Sequence, residues 1–143
     1  MLTISDERLK HSIEVARLMK KMAEEIGWTQ EKCEEMFLLG YLHDIGYEFS
    51  EQQGDHASVG GIMLKRQKYK YWQEVFFHGK LNAEYTSEEL TMLNIADMNI
   101  DSKGHNVGIK ERLKDIAVRY GEKSKQFIEA KLLIEKIKSD VHN

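Results

Sequence analysis

Met36-Phe37-Leu38-Leu39-Gly40-Tyr41-Leu42-His43-Asp44-Ile45-Gly46 carries an imidazole and a carboxylate to the end of an apolar run. A run of that composition belongs in a core, where ionisable groups need a compensating partner. A divalent cation satisfies both side chains at once, and His11, His56, His78 and Asp97 are further candidate ligands elsewhere in the chain. At helical pitch, His43 and Asp44 point roughly 100° apart. An ion lying between those directions takes a ring nitrogen from one and an oxygen from the other, which leaves a second oxygen on Asp44 free to bridge to another ion.

Working outward, nearly every segment repeats its apolar residues at helical period. Ser5 or Asp6 can cap a helix in which His11, Val15, Leu18 and Met22 recur at steps of three and four, with Gly27 as its stop. Thr29 can cap a second helix reaching about Ile45, ended by Gly46. Further helices are expected from His56 through Leu64 and from Tyr69 to His78. Thr86 and Glu89 form a capping box ahead of Leu90, Leu93 and Ala96, and two last helices are expected near Ile109 to Tyr120 and Lys123 to Ile137. The chain contains no proline, which permits long helices, and no segment has the alternation and turn chemistry of a hairpin. The expectation is an all-α, single-domain bundle of six or seven helices over residues 1–143.

Position on these helices separates the candidate ligands from ordinary polar residues. His11 shares an inward stripe with Val15, Leu18 and Met22, although a lone histidine there is more often a core histidine bonded to a backbone carbonyl. Asp97 falls on the face that its helix must bury, where the competing explanation is an ion pair with Arg112 or Arg119. His56 precedes Gly60-Gly61 by one turn, and His78 follows Trp72, Val75 and Phe76 on an inward face. Gly40 would let another helix approach closely, whereas His105 and His142 read as solvent-exposed.

A length of 143 residues with a net charge of -3 and 31% charged residues describes an ordinary globular chain, and its basic residues are dispersed. That dispersal argues against a nucleic-acid interface. The single cysteine, Cys33, excludes an intrachain disulfide and lies among Glu31, Lys32, Glu34 and Glu35, which suggests a helix surface. The start of the chain lacks the basic and apolar regions of a signal peptide, and no stretch reaches the ~18 apolar residues of a membrane span. A cytoplasmic protein without a membrane partner is expected.

Arg8-x-x-His11, then Leu42-His43-Asp44-Ile45-Gly46, then Ala96-Asp97 occur in the order of a known pattern. The region from about Arg8 to Asp101 resembles the HD-domain superfamily of metal-dependent phosphohydrolases. His56 and His78 between the central pair and the closing aspartate are similar to the subset that holds two metals, which includes di-iron dinucleoside polyphosphate hydrolases and cyclic dinucleotide phosphodiesterases. Tyr47 stands where many relatives have a lysine, and the Gly-Tyr-Pro signature is absent, so cyclic dinucleotides fit poorly.

The resemblance implies an HD-like helical fold and one or two divalent ions held by His11, His43, Asp44, His56, His78 and Asp97. Mixed imidazole and carboxylate donors favour Fe, Mn, Co, Ni or Zn, with Mg also compatible. His43 and Asp44 would form the catalytic centre, and a water of lowered pKa would attack phosphorus in line. Arg8, Lys80, Lys103 and Arg112 are candidates for binding phosphoryl oxygens, each weighed against an exposed or structural charge. The expected substrate is a phosphomonoester, a nucleotide or a dinucleoside polyphosphate. The alternatives are a noncatalytic metal- or nucleotide-binding sensor and a helical interaction protein with core histidines.

Overall fold

A computed structural model describes the backbone of residues 5–48, 56–81 and 83–142, and the side chains of these except 48 and 137–142. Seven α-helices occupy the described residues: α1 (Asp6–Glu25), α2 (Gln30–Leu42), α3 (His56–Arg66), α4 (Trp72–Phe77), α5 (Glu88–Asn99), α6 (Gly108–Tyr120) and α7 (Lys125–His142). A short 3₁₀ helix, Ile45–Glu48, follows α2. Apart from an isolated antiparallel bridge between Ile100 and Asn106, the described residues form no β-structure. This is the expected all-α bundle, and no helix is long and apolar enough to cross a membrane among the described residues.

Local chemistry sets the helix ends. Ser5 Oγ accepts from Arg8 N at 3.2 Å, and Asp6 and Glu7 complement the positive end of α1. Gly27 adopts φ +83° just past α1, a conformation that an L side chain resists. Thr29 Oγ1 caps α2 through Lys32 N at 3.1 Å. The cap of α5 is Ser87 rather than Thr86, because Ser87 Oγ accepts from Leu90 N at 2.9 Å and also donates to the buried Glu74 carboxylate at 2.7 Å. Glu89 pairs with Lys32 instead of completing a box.

The helix α2 stops at Leu42, short of the expected Ile45, and His43 occupies its C-cap. His43 Nδ1 lies 2.6 Å from Gly40 O, a last-turn carbonyl that no helical amide reaches. The helix α4 is likewise shorter than expected, and His78 sits just beyond it with Nδ1 2.6 Å from Val75 O. Each histidine thus satisfies the helix end that positions it.

The central element is α5, which packs against α1, α2, α4, α6 and α7. Its buried residues, Leu90, Met92, Leu93, Asn94, Ala96 and Met98, surround the helix rather than forming one stripe. Val15, Met19, Met36, Leu39, Val75, Leu93 and Ile100 form the main core, each contributing about 1.5–3 kcal/mol on burial. Cys33 belongs to this core and is 2% exposed, which corrects the surface expectation. It is the one uncharged residue in Glu31–Glu35 and lies one turn before Met36 on the inward face. Met98, Ile116 and Ile134 form a second, smaller cluster where α6 and α7 meet α5.

Two glycine contacts bring the ligand-bearing segments together. A Cβ on Gly40 would stand 2.6 Å from Ala16 Cα, so α1 and α2 touch backbone to backbone. A Cβ on Gly46 would collide with the His56 carbonyl, which ties the segment after Asp44 to the start of α3. These contacts set the spacing of His11, His43 and His56.

Candidate metal centre

The six candidate ligands converge as two overlapping groups. His11, His43, Asp44 and Asp97 bring one donor atom each to within 4.8 Å of one another, and so do Asp44, His56 and His78. Asp44 belongs to both. Its Oδ2 lies 3.2 Å from His43 Nε2 and 3.6 Å from His11 Nε2, while its Oδ1 lies 3.3 Å from His78 Nε2 and 3.4 Å from His56 Nε2. Asp97 Oδ1 lies 2.8 Å from His11 Nε2 and 3.3 Å from His43 Nε2. Asp97 therefore pairs with imidazoles, and Arg112 and Arg119 turn to Asp115 instead.

The hydrogen bonds fix which ring nitrogen faces the cluster. His43 and His78 direct Nδ1 at the carbonyls of Gly40 and Val75, and His11 directs Nδ1 at Asp101 O at 2.9 Å. A neutral imidazole has one N–H, and in each of these rings the carbonyl claims it. The Nε2 lone pairs then face carboxylate lone pairs, an arrangement that requires a proton or a metal cation between them. His43 Nε2, fully buried, has no hydrogen-bond partner among the described residues. Donor type, orientation and this orphaned nitrogen all fit divalent metal ions.

The electrostatics express the same demand for positive charge. Burial opposes an imidazolium at His43, but Asp44 and Asp97 outweigh it and hold the pKa well above the ordinary value. Burial likewise penalises the two carboxylates, yet His43, joined by His78 at Asp44 and by His11 at Asp97, holds both well below the usual range. Burial and the neighbouring His78 push His56 down to about 4, leaving it neutral.

Tyr47 organises the rim of the second group. Its ring stacks on His56 with centroids 4.0 Å apart and planes 10° from parallel, and the Arg8 guanidinium lies 3.2 Å from the other side of the ring centroid. Burial, followed by the Asp44 charge, raises the Tyr47 pKa and keeps the phenol neutral. A tyrosine ring, at the place where many relatives have a lysine, thus joins Arg8 to His56.

A cavity of about 690 Å³ opens over the cluster. Arg8, Lys80 and Arg112 line it, whereas Lys103 is exposed and only its neighbour Ser102 reaches the lining. Lys80 Nζ donates to Ser58 Oγ at 2.8 Å, and burial lowers its pKa. Arg119 and Tyr120 also line the cavity, although neither was singled out as a binding residue from the sequence. The signal was the spacing of Arg112, Ile116, Arg119 and Tyr120, which defines one helical face. His105 is exposed, and the His142 side chain lies outside the described residues.

Comparison with known proteins adds a lineage to this geometry. The chain is 43% identical over 61 residues to Ribonuclease Y of Symbiobacterium thermophilum, a stretch that covers 42% of this chain and 11% of that protein. Ribonuclease Y of Fervidobacterium nodosum is 41% identical over 59 residues, covering 41% of this chain and 11% of the relative. The chain therefore spans about a tenth of the length of these curated relatives. No solved structure matches. The model of the HD domain matches residues 8–102, which include every one of the six converging side chains. With well over half of its length matched, the chain belongs to the HD-domain family, within the superfamily of metal-dependent phosphohydrolases.

Proposed function

We propose that this protein is a metal-dependent phosphohydrolase acting on a phosphomonoester, a nucleotide or a dinucleoside polyphosphate, with water as the nucleophile. The observation that carries the proposal is the division of Asp44, one oxygen toward His11 and His43 and the other toward His56 and His78. In this assignment His11, His43, Asp44 and Asp97 hold one ion, and Asp44, His56 and His78 hold a second. Divalent ions bound there would lower the pKa of water and neutralise phosphoryl charge.

The chain's own residues supply orientation and substrate binding. The carbonyls of Gly40, Val75 and Asp101 hold three imidazoles with Nε2 turned inward, so the donor set is organised before metal arrives. Arg8 and Lys80 bind the oxygens of the phosphoryl group at the metal centre, and Arg112, on the same cavity lining, binds phosphoryl oxygens elsewhere on the substrate. Lys103, outside that wall, is given no contact. Cys33 is buried in the core, and a protein nucleophile has no part in the proposal.

A second reading is favoured by the 43% identity to a protein whose name, ribonuclease, assigns it RNA as substrate. An RNA phosphodiester would use the same metal-binding residues. The net charge of -3 and the dispersed basic residues favour a small phosphorylated molecule instead. The deciding experiment measures product release with Mn²⁺, Fe²⁺, Co²⁺ and Mg²⁺ across nucleotides, sugar phosphates, dinucleoside polyphosphates and a short RNA. Metal-dependent phosphate release from a small molecule supports the main proposal. Cleavage of RNA alone selects the second, and tight metal binding with no turnover selects a noncatalytic sensor.

A further inference from the structure

The cavity has two walls of different origin. The metal ligands in its lining lie within residues 8–102, whereas Arg112, Ile116, Arg119, Tyr120, Gln126 and Glu129 come from α6 and α7, beyond the family match. These two helices pack on each other and on α5, and Lys136 Nζ donates to Leu81 O at 3.1 Å. A wall added outside the matched region is a place where specificity can differ between relatives.

The α6 face carries an ordered pair of guanidinium groups. Asp115 Oδ2 accepts from Arg112 Nη1 at 3.1 Å, and Asp115 Oδ1 lies 3.5 Å from Arg119 Nε. One carboxylate between two guanidinium groups leaves this α6 face positive, while Glu129 of α7, 3.8 Å from Lys125 Nζ, also lines the cavity. The Arg112 side chain is 18% exposed, and its Nε is buried with no hydrogen-bond partner among the described residues. Because Asp115 engages Nη1 and Nε is buried, Nη2, which has no hydrogen-bond partner among the described residues, is the guanidinium nitrogen left for another oxyanion.

Arg8 and Lys80 belong to the part of the lining that carries the metal ligands, where Arg8 covers the Tyr47–His56 stack and Lys80 is anchored by Ser58. A cavity of about 690 Å³ falls in the range of about 300–1,000 Å³ that holds a whole small molecule rather than one phosphoryl group. We infer that Arg112 and Arg119 form a second anion subsite, which binds a phosphoryl group of the substrate other than the one cleaved. The preferred substrate is then a molecule with at least two phosphoryl groups, not a simple phosphomonoester. Which phosphoryl group is cleaved rests on the phosphohydrolase proposal; the existence of the subsite does not.

The test is calorimetric binding to the full chain loaded with Mn²⁺, using orthophosphate and the non-hydrolysable methylenediphosphonate as probes. Wild type should bind the diphosphonate at least tenfold more tightly than orthophosphate. Arg112→Gln together with Arg119→Gln should remove at least tenfold of that affinity, change orthophosphate binding less than twofold, and leave metal stoichiometry unchanged. Arg119→Gln alone, at a residue 40% exposed in its side chain, serves if the double variant does not fold, and should still lower diphosphonate affinity selectively. Equal losses for both probes, or none, would overturn the subsite. A selective loss in a protein with no turnover on any substrate would retain the subsite and reject the phosphohydrolase proposal.

Discussion

Asp44 Oδ1 lies 3.3 Å from His78 Nε2, so the residues just past the ends of α2 and α4 meet across one carboxylate. The same oxygen lies 3.4 Å from His56 Nε2, at the start of α3. His56→Ala or His78→Ala should therefore reduce metal stoichiometry toward one while His11, His43, Asp44 and Asp97 keep the first ion. Metal analysis after gel filtration reads this directly, and undiminished stoichiometry in both variants would reject the second ion.

Metal binding should release protons. In the metal-free protein His43 is held protonated, since its folded pKa lies well above the ordinary 6.5, and that proton must leave when Nε2 takes a metal. His56, at about 4, needs no proton removed at neutral pH. Apparent metal affinity should thus rise with pH above 7. Calorimetry in buffers of different ionisation enthalpy should show release of about one proton or more with the first ion. An observed enthalpy independent of buffer would contradict this.

Stability of the metal-free protein carries a separate signature from His56. Its folded pKa lies below the unfolded value, so its contribution is present above about 6.5 and is lost as pH falls toward about 4. The raised His43 acts with the opposite sign, stabilising below 6.5 and losing that contribution as pH rises through its folded pKa. His56→Gln should flatten the acid-side loss in urea unfolding between about pH 6.5 and 4. An unchanged slope would show that His56 titrates alike in both states.

Tyr47 should act through its ring more than its hydroxyl, because the ring touches both His56 and Arg8. Tyr47→Phe should retain second-ion affinity, and Tyr47→Ala should weaken it by roughly 10–100-fold, the usual effect of losing an outer partner of a ligand. Competition with a metal-sensitive dye separates the cases. Equal behaviour of the two variants would remove the positioning role.

Much of this arrangement was legible before folding was considered. The inward stripe of His11, the buried-face position of Asp97 and the Gly60-Gly61 pair after His56 each follow from helical period. The places where period misled are those where a side chain competes with the helix. His43 takes the Gly40 carbonyl and ends α2 three residues early, and Ser87 rather than Thr86 is recruited by the buried Glu74. Cys33 was obscured by charged neighbours that share its segment but not its face. Helical spacing places Arg119 and Tyr120 on one face with Arg112, but only the packing of α6 on α5 brings that face to the cavity.

The Asp44→Ala variant is the most direct test, with circular dichroism, metal analysis and phosphate release measured on one preparation. Loss of this carboxylate also relieves charge burial when metal leaves, so the helical fold should survive. Metal occupancy should fall at both positions, and turnover on a substrate verified with wild type should drop by more than the roughly 100-fold upper cost of losing an outer partner. A folded variant that keeps both ions and wild-type turnover would contradict the role given to Asp44 and, with it, the two-ion centre.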